Sequence, residues 1–341
     1  MNKQQQILFY INNIPPDYGG GYLRAFKMAG RFKEKNLLAG IITLTKRERF
    51  NKTKNIISAD DILFLRTKLF LIIELFVILF RKRSSFDAIY IVSSHWHTFF
   101  AVFICKILKK KVIIGITLSG VDSPNSKSSN LFINFYYKIK NTQFRLANKI
   151  IMNSPAVYKE CIDHGIDAKK LRLILNPVDI EKFKKIKEKI LINDMKHKFG
   201  IHNANPVIIF VGSINKRKGV DLFPEILSKL SKQINNEVNF IMCGDLENDY
   251  SRRILNEIKM ICKDSLIKFS FLGEINNINE LMSISDIFLL PTRNEGLPNV
   301  IIEAMSSSCV IFTNLLEDIT DFLLPSEFII LNNDVDSYVE R

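Results

Sequence analysis

Short apolar runs alternate with longer stretches of helical period along almost the whole chain, and this alternation leaves few folds open. In the first half QILFYIN, LLAGIITLT, FDAIYIVSS, KVIIGITLS, KIIMNS and LRLILN read as strands, each bounded by turn or polar residues. Helical patterns such as GGYLRAFKMAGRFKEK, HTFFAVFICKILKK and AVYKECIDHG lie between them. The stretch PVDIEKFKKIKEKILINDMKHKFGIHNANP breaks the rhythm, being Lys-rich and without a convincing strand. From Pro206 the rhythm restarts, with VIIFVGSI, VNFIMCGD, IKFSFLG, DIFLLPT, CVIFTN and EFIILNN as strands. Repeated β-α units require a parallel sheet covered by helices on both faces. Two such series predict an α/β chain of two doubly wound domains. Residues 1–180 would form the first, 181–205 an interdomain segment with a short surface helix, and 206–341 the second. Two domains also suit a length of 341 residues. Ligands of such sheets bind at the strands' carboxyl ends, in a cleft between the domains.

Charge divides the chain as the strands do. Residues 1–150 hold 25 Lys and Arg against 8 Asp and Glu, a net +17, whereas residues 151–341 hold 23 against 27, a net −4. A basic half suggests an anionic partner: a membrane surface, a nucleic acid or a phosphorylated substrate. Surface lysines under weak selection would give the same excess. No aromatic-basic motif of a nucleic-acid binder is present, so that partner is not expected. The most apolar segment, Leu69 to Phe80, has twelve residues interrupted by Glu74, too few to span a bilayer. Arg66 and Lys68 precede it and Arg81 to Arg83 follow, which suits a helix lying on an anionic membrane face. A buried helix of the first domain fits equally well. The start MNKQQQILFYINNIPP leads straight into a strand-like run, with no signal-peptide pattern.

The five cysteines, an odd number without CxxC, suit a reducing compartment rather than a disulfide framework. They do not pair with histidines at metal spacing, and His95 and His97 beside Trp96 are a weak metal signal alone. Metal ligation there is not expected.

Three loops at strand carboxyl ends carry chemistry. After the first strand comes NNIPPDYGGGYLRA, where Gly19, Gly20 and Gly21 permit close backbone approach and Arg24 follows one turn into the helix. This is not GxGxxG, and a plain tight turn would look the same. After VIIFV comes GSINKRKG, with Lys216, Arg217 and Lys218 between Gly212 and Gly219. Three cations at a strand-to-helix turn suit a diphosphate, or form a solvated basic turn. After DIFLLPT comes NEGLPNVIIEAM. Pro298 suits the first turn of a helix, Glu295 lies in the loop before it, and Glu303 lies on the helix. Both carboxylates can face one cleft, and carboxylates accept paired sugar hydroxyls.

Taken in order, these stretches resemble the retaining glycosyltransferases of the two-Rossmann-domain, GT-B type, in the large family four. The match rests on Glu-x7-Glu in NEGLPNVIIEAM, FVGSINKRKGVDLF as the diphosphate loop, FIMCGD and FLGEI after it, PPDYGGGYLRAFKMAGRF, KKKVIIGITLSGVDSP, and NSPAVYKECIDHGIDAKKLRLILNPVDIEKF. The ordered set is highly specific although no single member is. It implies two domains facing each other across a cleft. Lys218 would bind the nucleotide diphosphate, Glu303 the ribose hydroxyls, and Glu295 the transferred sugar near its reacting carbon. Arg217, Gly212, Ser213, Gly296, Leu297, Asn299 and Val300 would complete the donor site. Gly20, Gly21, Arg24, Ser119 and Asp122 would line the cleft on the acceptor side. Such enzymes need no metal, because Lys, Arg and helix N-termini neutralise the leaving diphosphate.

The implied partners are a nucleotide sugar, a glycan or lipid-linked acceptor of bacterial-type surface polysaccharide synthesis, and an anionic membrane surface. The implied location is cytoplasmic, peripheral on the inner face of the cell membrane. Three departures from the family pattern are Ser213 where Arg is usual, Ser119 where TLHG has His, and SSSCV after EAM. The chain also stops where further helices would return to the first domain. These features motivate an alternative expectation: a shortened relative that binds a nucleotide sugar or a partner subunit without transfer.

Overall fold

Period-two alternation of side chains decides how the first half folds in a computed structural model of the chain. The structure describes residues 4–15, 20–51, 57–65, 70–117, 123–124, 130–201, 205–246, 248–295, 297–315, 329–331 and 334–339. The chain divides into two compact units, Met1–Leu175 and Asn176–Arg341. In the first, strands β1 (Ile7–Ile11), β2 (Leu38–Thr43), β3 (Ile62–Phe64), β4 (Ala88–Val92), β5 (Lys111–Ile116), β6 (Lys149–Met152) and β7 (Leu171–Leu173) form one sheet in the order β3-β2-β1-β4-β5-β6-β7. All neighbours are parallel. Leu8 and Tyr10 of β1 join Ile89 and Ile91 of β4 in a core on one face, while Phe9, Ile11, Tyr90 and Val92 form the core on the other.

Helices α1 (Gly20–Glu34) and α2 (Arg47–Phe50) serve the second of these cores through Ala25, Phe26, Ala29 and Phe50. Helices α3 (Leu71–Arg81), α4 (Thr98–Ile107), α5 (Leu131–Leu146) and α6 (Pro155–Asp163) cover the first. Local signals set two starts: Asn130 accepts the Phe132 and Ile133 amides ahead of α5, and Ser154 accepts the Val157 amide ahead of α6, with Pro155 in its first turn.

The second unit repeats the plan. Strands β8 (Val207–Val211), β9 (Val238–Cys243), β10 (Ile267–Gly273), β11 (Ile287–Leu290), β12 (Val310–Asn314) and β13 (Ile329–Leu331) lie in the order β10-β9-β8-β11-β12-β13, again parallel. Helices α7 (Lys189–Lys198), α8 (Phe223–Leu230), α9 (Asp249–Cys262), α10 (Ile278–Ile284) and α11 (Asn299–Ser306) accompany them. Phe223 packs edge-on against Phe210 and Phe240, each with centroids 5.2 Å apart. All three rings are fully buried, and burial of each side chain is worth about 1.5–3 kcal/mol. Both units are therefore doubly wound, Rossmann-like α/β layers.

The segment expected to run between the domains packs instead on the second unit. Phe183, Phe199 and Ile201 belong to its core, Lys185 donates to the Ser285 carbonyl at 2.6 Å, and Ser306 donates to the Phe183 carbonyl at 2.5 Å. The surface helix expected there is α7, which buries no residue fully. The boundary between the compact units falls at Leu175/Asn176 rather than at residues 181–205, because these three apolar side chains join the core of the second unit. All five cysteines are free and buried.

Candidate functional site

Loops that are far apart in sequence meet where the strand order of the second sheet reverses. Strands β8 and β11 are neighbours, and the connections leaving them turn to opposite sides, which opens a crevice at their carboxyl ends. After β8 the chain passes Gly212 and Ser213 to Asn215. Its Oδ1 accepts the Lys218 amide at 3.1 Å and caps the 3₁₀ turn Lys216–Lys218. Gly219 ends that turn in the left-handed region, φ 72°. A Cβ at Gly219 would stand 1.7 Å from the Pro291 carbonyl oxygen. Only glycine lets the cationic turn press this closely on the β11 loop.

Two cations and a hydroxyl converge there on one carboxylate oxygen. Lys218 Nζ lies 2.6 Å and Arg217 Nη1 2.8 Å from Glu295 Oε1. The Thr292 hydroxyl is 3.1 Å from both that oxygen and the Arg217 carbonyl. The Lys218 side chain is 11% and the Glu295 side chain 9% exposed, whereas Arg217 is 40% exposed. Burial pulls the Lys218 ammonium below the ordinary lysine range; the Glu295 charge opposes this and Arg217 adds to it. Arg293 holds the two loops together. Its amide donates to the Arg217 carbonyl at 2.8 Å. Its guanidinium donates to the Lys216 carbonyl at 2.7 Å and grips the Asp221 carboxylate with two bonds of 2.6 and 3.0 Å. Burial pushes Asp221 up, but the Arg293 bonds and charge outweigh it and hold the carboxyl below its usual range.

The helix after Glu295 starts one residue later than expected. Pro298 is the N-cap of α11, with φ −72° and ψ 118°, rather than its first helical residue. Its extended ψ turns the chain into the helix at Asn299. Asn299 and Val300 form the first turn, half-buried, and Asn299 Oδ1 is buried with no hydrogen-bond partner among the described residues. The Leu297 carbonyl, just before, accepts Asn176 Nδ2 at 2.8 Å. Glu303 lies in the second turn of α11, half-buried. Gly296, Ser119 and Asp122 lie outside the described residues.

The remaining sequence candidates belong to the first unit. Gly20 is exposed at the start of α1, and Gly21 faces Thr117, whose Oγ1 a Cβ would approach to 2.8 Å. Arg24 is half-buried in the second turn, its guanidinium pulled down by burial against the opposing effect of Tyr90. At this sheet's own reversal, between β1 and β4, lies a polar cluster not foreseen in this form. Tyr10 Oη and His97 Nδ1 are 3.0 Å apart, Tyr22 Oη and His95 Nε2 3.1 Å, and the two imidazoles stack at 5.4 Å. Burial first, then His95, pushes His97 down to about 4. The spacing of His95 and His97 had suggested only a weak metal pair; their tyrosine partners sit on β1 and α1, where no spacing rule links them. Thr292, Arg293, Asp221 and Asn215 were likewise missed.

Comparison with known proteins agrees with this architecture. Residues 192–341 match the model of glycosyl transferases group 1, and residues 39–182 that of glycosyltransferase family 4. The chain is 24% identical over 201 residues to an alpha-galactosylglucosyldiacylglycerol synthase of Streptococcus pneumoniae, covering 57% of this chain and 52% of that one. It is 29% identical over 181 residues to an Escherichia coli UDP-Gal:alpha-D-GlcNAc-diphosphoundecaprenol alpha-1,3-galactosyltransferase, covering 51% and 44%. The chain thus spans about half the length of these curated relatives, or less. In fold it is similar to Anabaena HepE, solved in complex with UDP and glucose, with a TM-score of 0.77 and 17% identity over 98% of this chain and 88% of that one. With a family model on each unit and the same paired Rossmann-like layers, the chain belongs to the group 1 glycosyltransferases of the GT-B fold.

Proposed function

We propose that the chain transfers a sugar from a nucleotide-diphosphate donor to a glycan or lipid-linked acceptor of bacterial surface polysaccharide or glycolipid synthesis, with retained anomeric configuration. The observation that carries this reading is the convergence of Lys218 and Arg217 on Glu295 at the reversal of the second sheet. A donor diphosphate would take over the two cations, beside the free amides at the start of α11. That exchange would release the Glu295 carboxylate to accept hydroxyls of the sugar. Asn299, whose Oδ1 has no partner among the described residues, and Glu303 would hold further hydroxyls, including those of the ribose. As the bond from the anomeric carbon to the diphosphate breaks, the electron pair leaves with the phosphate oxygen. Lys218 and Arg217, rather than a divalent cation, would neutralise it. The acceptor hydroxyl then bonds to the same face of the sugar and passes its proton to the departing phosphate oxygen, which lies on that face.

The names of the Streptococcus and Escherichia relatives, and UDP in the Anabaena neighbour, support a nucleotide sugar and a lipid-linked acceptor. On the acceptor side the reading assigns Gly20, Gly21 and Arg24, with Ser119 and Asp122. It also places the chain peripherally on the cytoplasmic face of the membrane. The test is a panel of UDP- and GDP-sugars with lipid-linked acceptors, read by product mass and anomer, with and without EDTA. Turnover should survive EDTA, and Lys218→Ala should lower it about 10²–10³-fold while the chain still melts cooperatively. Unchanged turnover in that variant would remove Lys218 from the site.

A further inference from the structure

We propose that the outer face of α3, α4 and α5 is a docking surface for an anionic lipid bilayer. This deepens the peripheral placement proposed above by naming the surface that makes it, and it stands whether or not the transfer reading holds. The face comes from three adjacent helices on one side of the first sheet, α4 packing between α3 and α5. Each turns a buried stripe to the core; on α3 this is Leu71, Leu75 and Leu79. The opposite stripe should then be polar. Instead Phe76 is 51%, Phe80 44%, Phe103 49%, Ile107 64%, Phe132 87% and Phe135 67% exposed. Exposed apolar side chains thus recur on three helices packed side by side, which points to an interaction surface rather than scattered exposure.

Charge selects the occupant. Over residues 70–83, 96–111 and 130–146 the only acidic residue is Glu74. Arg81 and Arg83 at the end of α3, Lys106 and Lys109 at the end of α4, and Lys138 on α5 are all exposed. The Arg83 guanidinium sits over the Phe80 ring, 4.2 Å from its centroid, so base and ring are presented together. The partner must therefore be apolar and anionic at once. A bilayer with acidic headgroups offers both in layers, acyl chains to the rings and phosphates to the bases. No helix among the described residues is long and apolar enough to cross a membrane. These helices would lie on the surface.

The experiment is co-sedimentation of the full chain with phosphatidylglycerol-containing and pure phosphatidylcholine vesicles, at low and high salt. The chain should bind the anionic vesicles and release as salt rises. Phe76→Ser/Phe103→Ser/Phe135→Ser should weaken binding about a hundredfold and Arg81→Gln/Arg83→Gln about thirtyfold, both with unchanged melting curves because the positions are exposed. No binding at low salt, or full binding by the triple variant, would overturn the proposal. So would a dimer that the triple variant dissolves without any vesicle binding, since a second copy would then be the occupant. Nucleotide binding is measured alongside: its loss with vesicle binding intact would sink the transfer reading and leave this surface standing.

Discussion

Replacing Glu295 with Gln should make the protein bind a bare nucleoside diphosphate more tightly while abolishing sugar transfer. Without ligand, Glu295 occupies the two cations that the diphosphate needs, at 2.6 Å from Lys218 and 2.8 Å from Arg217. Gln keeps the shape and a neutral hydrogen bond but removes the charge. The Arg217 pair is 40% exposed and its loss counts for little. The Lys218 pair is shielded, with side chains 11% and 9% exposed. A hydrogen bond to a charged group is worth about 1.5–3 kcal/mol against about 1 for a neutral one. The competition that Gln relieves is thus about 0.5–2 kcal/mol, or about 2–30-fold in Kd. Titration calorimetry with UDP and GDP on wild type and Glu295→Gln measures it directly, after a melting curve has shown both to be folded. If the variant binds its nucleotide no more tightly than wild type, the cations are not the diphosphate site and the reasoning fails.

Two further outcomes are open to measurement, one in each unit. Gly219→Ala puts a methyl group 1.7 Å from the Pro291 carbonyl oxygen at φ 72°. It should cost at least about 1–2 kcal/mol from the left-handed backbone alone, and thermal melts should show a fall of several degrees; an unchanged melting temperature would mean the two loops do not pack as described. His97 is held neutral down to about pH 4 by burial, whereas an unfolded histidine takes up a proton near 6.5. The unfolded state therefore binds more protons between those values. Stability should be fully present above 6.5 and fall as pH drops toward 4, by about 3 kcal/mol in all. Urea melts of wild type and His97→Gln across this range should show a flatter dependence in the variant, and parallel curves would contradict the assignment.

How far sequence reached depended on the range of each signal. β1, β4, β8 and β11 are legible because a buried parallel strand is a continuous apolar run. β3 is only Ile62–Phe64 and falls below what a run can show. α5 lacks an amphipathic pattern because its outer positions, Leu131 and Phe135, are as apolar as its inner Phe144. For the same reason Leu69 to Phe80 could be read as either a buried helix or a membrane-facing one; α3 is apolar on both sides. Lys218, Arg217 and Glu295 were each legible as loop residues, but their meeting was not. Nor was the Arg293–Asp221 clamp, since two surface charges 72 positions apart in sequence carry no spacing signal. Strand order creates that proximity, by setting β8 beside β11.

On the proposed reading Lys218 and Arg217 receive the donor diphosphate and release Glu295 to the sugar. A crystal structure of the full chain soaked with the nucleoside diphosphate that binds best tests it most directly. Phosphate oxygens should lie within hydrogen-bond reach of Lys218 Nζ and the Arg217 guanidinium, with Glu295 turned away from both. A nucleotide bound elsewhere, or one bound with the 2.6 Å Lys218–Glu295 pair still closed, would contradict it.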